Sequence, residues 1–212
     1  MSTLVSFRRL QVLAAAAALA LLAMPAAQAM KLRPQNLTQL ISESESIIRG
    51  RVSRVTDGVT ESGMPYTEIT IRVDDAAKGP ILADTDYTFR QFGLLKPRKM
   101  ANGRTLIAVT PEGFPSWTVG ERIVAFMYHP ASRTGLQTTA GMAQGKLTVM
   151  GGKVSNEFDN AGLFEGVEID DDLVTASERA MLESEGAVDA ATFVGLVGRA
   201  VRGGWVETGR MR

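Results

Sequence analysis

The chain has 212 residues, with 23 Lys and Arg, 23 Asp and Glu, one His and no Cys, so its formal net charge is zero. This balance gives no electrostatic basis for a nucleic-acid partner, because nucleic-acid binding normally needs a basic face. The absence of Cys excludes disulfides, thiol catalysis and thiolate metal sites, and a single His excludes zinc sites built from several histidines, so we predict no cofactor.

The first 29 residues have the three parts of a secretory signal peptide. Arg8 and Arg9 form a basic head, the apolar run Val12–Met24 follows, and Ala27 and Ala29 supply a small-x-small cleavage site. The alternative is an uncleaved membrane anchor, but the apolar run is shorter than the roughly 20 residues that a bilayer-spanning helix needs.

Cleavage after Ala29 would make Met30 the first residue of the mature protein. Of the 212 residues 183 would remain, and loss of Arg8 and Arg9 would leave 21 basic against 23 acidic residues, a net charge of −2. No later apolar run is long enough to cross a membrane. We therefore expect a protein of the periplasm or the medium, with no membrane span after signal removal.

The first part of the mature chain predicts one short helix and two strands. The helix follows a cap at Asn36, because apolar residues then recur at helical spacing: Leu37, Leu40 and Ile41. Ile47–Val55 predicts a strand in which Gly50 indicates a bulge or tight bend. Asp57-Gly58 is interpreted as part of a loop, and Tyr66–Val73 alternates strictly, as a half-buried strand does.

Further strands are predicted towards the middle of the chain, namely Asp86–Phe92, Thr105–Thr110, Arg122–Tyr128, Lys146–Met150 and Lys153–Phe158. The last two flank Gly151-Gly152, which is a strong hairpin signal. Thr105–Thr110 and Arg122–Tyr128 are continuous apolar runs and are predicted as two further strands.

The last 50 residues predict helices. Ala176–Glu185 is interpreted as a loose helix, and Asp189 caps a second helix that ends at Gly203-Gly204. The apolar face of the second helix consists of Phe193, Leu196, Val197, Ala200 and Val201. We therefore predict a mainly β protein. It would comprise a small antiparallel OB-like barrel over residues 30–162, which includes a short N-terminal helix, and a helical extension over 163–212 packed on that barrel.

Four segments together resemble a group of exported bacterial β-proteins of unknown role: Ser46–Val52, Tyr66–Val73, Lys78-Gly79 and Val119–Phe126. Their layout is also similar to netrin-like domains and the tissue inhibitors of metalloproteinases, which are OB-fold barrels with attached helices. The resemblance covers about half of the mature chain and carries no motif specific to one chemistry. It implies an OB-like barrel and an exported protease as a candidate partner.

The N-terminus departs from those inhibitors. Their mature chain begins with a disulfide-held Cys whose amine binds the protease zinc, whereas this chain would begin with Met30 and contains no Cys. Met30 offers an amine and a carbonyl, but nothing in the sequence would hold them rigid, and rigidity is what makes such a wedge bind.

A basic loop and a proline-rich loop hold the other candidate contact residues. Lys96, Arg98 and Lys99, with Arg104, could bind an anion or an acidic partner, or could form an ordinary solvated loop. Three further cations would add to this surface if the fold brought them close: Arg49, Arg51 and Arg54.

Phe114 and Trp117 lie in the proline-rich loop at 111–117. They could be exposed anchors for a partner, or they could fold back as a plug over one end of the barrel.

The residue types argue against an enzyme. His129 is the sole candidate base for a serine triad, it follows an apolar strand, and no Gly-x-Ser-x-Gly motif supplies a nucleophile. Asp170–Asp172 clusters carboxylates without the spacing of a calcium-binding EF-hand. We predict a non-enzymatic exported module that binds another protein. The alternative is a periplasmic barrel that binds a small molecule or carbohydrate in an apolar interior pocket.

Overall fold

The computed structural model of the protein describes residues 34–100 and 102–212. The predicted signal peptide with Ala27 and Ala29, and also Met30, lie outside the described residues. The helices are α1 (Leu37–Glu43), α2 (Ala176–Leu182) and α3 (Ala190–Arg202), with a 3-10 turn at Met142–Gly145. The strands are β1 (Ser46–Val59), β2 (Pro65–Lys78), β3 (Asp86–Phe92), β4 (Arg98–Lys99), β5 (Thr105–Leu106), β6 (Arg122–Met127), β7 (Lys146–Met150), β8 (Lys153–Ser155) and β9 (Val188–Asp189).

Seven strands form one antiparallel sheet in the order β3-β2-β1-β6-β7-β8-β9. The predicted mainly β class with attached helices is confirmed. The sheet is not a closed barrel. Residues 136–139 lie between β3 and β6, but they meet each strand through a single bridge, Arg90–Leu136 in β3 and Met127–Thr139 in β6. The 3-10 turn follows residues 136–139 and separates them from β7. The described residues therefore contain no continuous strand pairing that would close the sheet into a barrel.

Gly50 bends β1 as its position in the sequence predicts. The register of β1 against β2 shifts between Arg49 and Gly50. A Cβ atom at Gly50 would lie 2.3 Å from the Arg72 carbonyl oxygen, so the close approach of the two backbones requires glycine here.

The alternation of β1 divides the core into two apolar clusters. On one face Ile47 lies opposite Phe126, and both pack beneath α1 and α3. On the other face Ile48 and Val52 pack with Ile71. The predicted apolar face of α3 joins the first cluster, in which Phe193, Leu196, Val197 and Ala200 are buried.

The capping of α1 also follows from the sequence. The Asn36 side chain accepts a hydrogen bond from the Gln39 backbone N–H at 3.1 Å, and the Gln39 side chain accepts one from the Asn36 backbone N–H at 3.0 Å. This reciprocal pair is a capping box. It fixes the start of the helix and turns Leu37, Leu40 and Ile41 into the core.

Two predicted strands are shorter than expected. Of Thr105–Thr110 only Thr105–Leu106 is a strand, and it pairs with the two residues of β4. Ile107, beyond the end of this short strand, is 74% exposed. The run lies on a surface hairpin with no neighbouring strand to cover it. The second strand of the Gly151-Gly152 hairpin covers only Lys153–Ser155.

A buried carboxylate ties α2 to α3. The Glu178 carboxylate accepts hydrogen bonds from the Arg199 guanidinium at 2.6 Å and the Thr175 hydroxyl at 2.8 Å, and it is 3% exposed. Burial raises the pKa of Glu178, but the hydrogen bonds from Arg199 and Thr175 outweigh burial, so its pKa is lowered overall.

This lowered pKa predicts acid sensitivity. The charged carboxylate stabilises the fold above the ordinary Glu pKa of 4.5, and that contribution is lost as the pH falls through the lower value of the folded state. We expect Glu178→Gln to reduce the free energy of unfolding by about 1–3 kcal/mol at pH 7, with a smaller difference at pH 3, in urea unfolding curves. Asp171→Asn is the control, since Asp171 pairs with Arg179 but is 88% exposed. A loss for Glu178→Gln no larger than that of the control would contradict the assignment.

Candidate functional site

The predicted basic loop forms part of a projecting hairpin, described over residues 94–100 and 102–110, which we call the basic hairpin. Its base is closed by two backbone hydrogen bonds between Leu94 and Val109, at 2.7 and 2.9 Å. Farther out, β4 pairs with β5, and the Met100 N–H donates to the Arg104 carbonyl at 2.8 Å. Leu94 itself is only 1% exposed, so it anchors the hairpin to the body of the protein.

Asp57 of β1 holds the basic hairpin in place. Its carboxylate accepts hydrogen bonds from the Leu95 N–H at 2.8 Å, the Lys96 N–H at 3.0 Å and the Arg98 guanidinium at 2.8 Å. Three bonds to one carboxylate fix the direction of the hairpin relative to β1. The structure therefore assigns Arg98 to positioning, although the sequence interpretation placed it among the contact residues.

The other cations of the basic hairpin point to solvent. The side chains of Lys96, Lys99 and Arg104 are exposed, and none makes an ion pair within residues 34–100 and 102–212. Each remains available to a negatively charged group on a partner.

Apolar side chains on the same hairpin are also exposed. Ile107 is 74% exposed, Leu95 47% and Val109 37%. Isolated surface apolar residues are ordinary, but three on one short projecting element, next to three exposed cations, form a mixed surface typical of recognition sites.

Trp117 does not belong to an exposed surface. It is 9% exposed, its ring packs edge-on against Phe89 at 5.3 Å, and its Nε1–H donates to the Gln91 side chain at 3.2 Å. The Gln91 amide in turn donates to the Pro115 carbonyl at 3.0 Å. Trp117 therefore folds inward and packs in the core beside β3, so it does not offer its ring to a partner, and the open sheet of the described residues has no barrel end for it to plug.

Phe114 lines an apolar groove of about 430 Å³. The groove is lined by Phe92, Phe114, Tyr128, His129, Ala131, Leu136, Gln137 and Thr138. Phe92 precedes the basic hairpin by two residues and Phe114 follows it by four, so the apolar groove lies beside the base of the hairpin. Phe114 is partly buried there and is not a projecting anchor.

The polar groups around the groove are mostly engaged with the protein itself. The Tyr87 hydroxyl donates to Gln137 Oε1 at 2.7 Å, and Gln137 Nε2 donates to the Tyr128 carbonyl at 2.6 Å. Burial raises the pKa of Tyr87 and of Tyr128, so both phenols stay protonated at neutral pH. His129 lies at the rim with its side chain 79% exposed and pairs with Glu45 at 3.0 Å.

The clustered aspartates serve as structural ion-pair partners. Arg210 reaches Asp170 at 3.0 Å and Asp172 at 2.6 Å, and Arg179 reaches Asp171 at 2.7 Å. In the described part of the chain no set of three or more His, Cys, Asp or Glu residues is arranged to hold a metal ion. Among the same residues, no helix has the length and apolar character required to span a bilayer.

Asp57 is the residue of this site that the sequence interpretation missed. Asp57-Gly58 has the composition of a loop, yet both residues lie inside β1 and pair with β2. A Cβ atom at Gly58 would lie 2.5 Å from the Tyr66 hydroxyl, so the glycine makes room for Tyr66. The signal that could have shown this is the strong β pattern of the partner strand, Tyr66–Val73.

Removal of the Asp57 carboxylate tests its role. We expect Asp57→Ala to speed hydrogen exchange of the Leu95 and Lys96 amides by at least about tenfold, with a loss of no more than about 1–2 kcal/mol in global stability. Glu61→Ala, in the exposed turn between β1 and β2, is the control and should change neither quantity. Unchanged exchange at residues 95 and 96 in Asp57→Ala would show that the carboxylate does not hold the hairpin.

The chain was compared with protein-family models, with curated proteins and with solved structures. No family model, no curated protein and no solved structure matches it. The fold and the arrangement of the basic hairpin and apolar groove therefore supply the basis for a functional proposal.

Proposed function

We propose that this protein is an exported, non-enzymatic module that binds another protein through the basic hairpin. The observation that carries the proposal is the coincidence of exposed apolar side chains and exposed cations on one element that Asp57 fixes in place. The expected partner surface combines an apolar pocket with carboxylates.

The energetics suit a compact contact. Full burial of an apolar side chain of the size of Ile contributes about 1.5–3 kcal/mol, and Ile107 begins with most of its surface in water. Lys96, Lys99 and Arg104 would steer an acidic partner and favour one orientation. A hairpin that is already ordered loses little conformational entropy on binding, so more of the contact energy appears as affinity.

An exported protease is one candidate partner class. Its support is the resemblance, inferred from the sequence alone, of the segments around β1, β2 and β6 to netrin-like domains and metalloproteinase inhibitors. Met30, which would be the first residue of the mature chain, lies outside the described residues and is not part of the proposed binding surface. The binding surface proposed here is the basic hairpin.

Partner capture with matched variants tests this function. Proteins of the periplasm and medium would be captured on the wild-type protein, and each enriched partner would be purified and titrated. We expect Ile107→Ala to weaken the affinity about tenfold, because one buried apolar anchor is lost. Lys99→Gln with Arg104→Gln should weaken binding mainly at low salt.

The control is Leu82→Ala in the turn between β2 and β3. Leu82 is 70% exposed, nearly as much as Ile107, but lies outside the hairpin. A partner that binds the Ile107 and Leu82 variants equally well would overturn the assignment of the hairpin, as would the absence of any partner that survives purification.

The apolar groove favours a second candidate function, the binding of a small molecule or sugar ring. Its volume of about 430 Å³ lies within the range of small-molecule sites. Phe92, Phe114 and Tyr128 supply aromatic faces on which an apolar ligand or a sugar ring could pack.

Filling the groove separates the two functions. We expect the fluorescent probe anilinonaphthalene sulfonate to bind the wild type and to lose that binding in Ala131→Trp, since a large side chain would occupy the groove. Ile107→Ala is the control and should retain probe binding. If Ala131→Trp still binds the probe, the groove is not the ligand-binding site. If the same variant also loses protein capture, the protein partner and the small ligand use the same surface.

A further inference from the structure

Three arginines lie side by side across the centre of the sheet. In the register of β1, Arg51 is directly opposite Arg72 of β2 on one side and Arg122 of β6 on the other. Neighbouring strands are about 4.8 Å apart, so the three Cα atoms span roughly 10 Å. We call these three residues the arginine row; Arg49 extends it on the same face of β1.

This arrangement is unfavourable in the isolated protein. Like charges directly opposite each other on adjacent strands destabilise a sheet. The row contains two such pairs, Arg51 with Arg72 and Arg51 with Arg122. A solvated face of this strand would be more stable with uncharged or alternating residues.

The surrounding carboxylates compensate the row only in part. Asp86 approaches Arg72 at 3.6 Å, but both side chains are more than half exposed. The guanidinium of Arg51 donates to the Gly120 carbonyl at 3.2 Å. Neither Arg49 nor Arg122 forms an ion pair with any residue in the described ranges. Asp75 of β2 lies opposite Arg49 in the register of β1, so within the described residues positive charge remains available on Arg51 and Arg122.

The row borders a surface cleft of about 500 Å³. Arg49 and Arg122 line it with Asp74, Val149 and residues 189–191 at the start of α3. The N-terminus of α3 is already closed, because Asp189 accepts a hydrogen bond from the Thr192 N–H at 2.8 Å. The carboxylates of Asp74 and Asp189 also lie in this cleft, so Arg49 and Arg122, and not the helix end, are the groups there that could attract an anion.

The fold leaves this part of the sheet open. Arg49 and Arg51 lie on the same face of β1 as Ile47, which is buried beneath the helices. The helices that cover this face end near the first residues of α3. Beyond that point the arginines on this face of β1, β2 and β6 are exposed to solvent. The row is thus held on β1 and on the two strands paired to it, β2 and β6, which keeps the spacing of its charges fixed.

We propose that the arginine row is a binding site for a small multivalent oxyanion, one that presents two or three phosphate or sulfate groups within roughly 10 Å. Planar guanidinium groups pair with such groups through two hydrogen bonds each, which a Lys cannot do. A ligand of this kind would relieve the repulsion within the row. The proposal does not depend on the function proposed for the basic hairpin.

Titration with defined probes tests the site. Two probes are multivalent: tripolyphosphate, which carries three linked phosphoryl groups, and sucrose octasulfate, which carries sulfate groups on a sugar. Inorganic phosphate, which has a single anionic group, is the control. All three are titrated at matched ionic strength. We expect at least one of the two multivalent probes to bind the wild type about tenfold or more tightly than phosphate, with affinity that falls as salt rises. The probe that binds identifies the source of the anionic groups.

Matched double variants localise the binding. Arg51→Gln with Arg122→Gln should lose at least about tenfold in probe affinity, as expected for two lost bidentate contacts. Lys99→Gln with Arg104→Gln removes the same charge from the basic hairpin and should bind like the wild type. Arg51→Gln alone should fold with an unchanged or raised Tm, because it removes both like-charge pairs.

Three results would overturn the proposal. One is the failure of both multivalent probes to bind. Another is equal loss of affinity in the two double variants, which would show a general charge effect. The third is binding of phosphate as tight as that of the multivalent probes, which would show that the spacing of the row plays no part. If the double variant fails to fold, Arg122→Gln alone replaces it in the same comparison.

Discussion

The register of β1 between β2 and β6 is the constraint on which the rest of the structure depends. Ile47 lies opposite Phe126 and turns to the helices, whereas Ile48 lies opposite Ala125 and turns to the other cluster. A shift of one residue would exchange the two faces and bury the arginines. Gly50 secures this register, because no other residue allows the backbone of β2 to come as close.

Local patterns predicted the regular elements because their causes are local. The cap at Asn36, the alternation of Tyr66–Val73 and the helical spacing after Asp189 each depend on residues a few positions apart. The extent of pairing is different, since it depends on which strands meet. Thr105–Thr110 has the composition of a buried strand but finds no covering neighbour, and residues 136–139 make only isolated bridges, so the ring stays open.

The candidate site was predictable in composition but not in geometry. The sequence indicated the cations of the hairpin and the aromatic residues of the following loop, but not that Asp57 would hold Arg98 or that Trp117 would turn inward. These outcomes are set by contacts between residues 26 to 41 positions apart. The arginine row was likewise visible only as scattered arginines until the register placed Arg51 between Arg72 and Arg122.

One strand positions both proposed surfaces, and it keeps them apart. Asp57 and Arg51 are six residues distant along β1, which corresponds to about 20 Å in an extended strand, roughly two screening lengths at physiological salt. Charges at one surface therefore have little direct effect on the other. A ligand at the arginine row would reach the basic hairpin through the backbone of β1, where the register shift between Val52 and Arg54 lies between Arg51 and Asp57. Since each surface rests on its own set of contacts, a partner on the hairpin and an anion on the row can occupy the protein together.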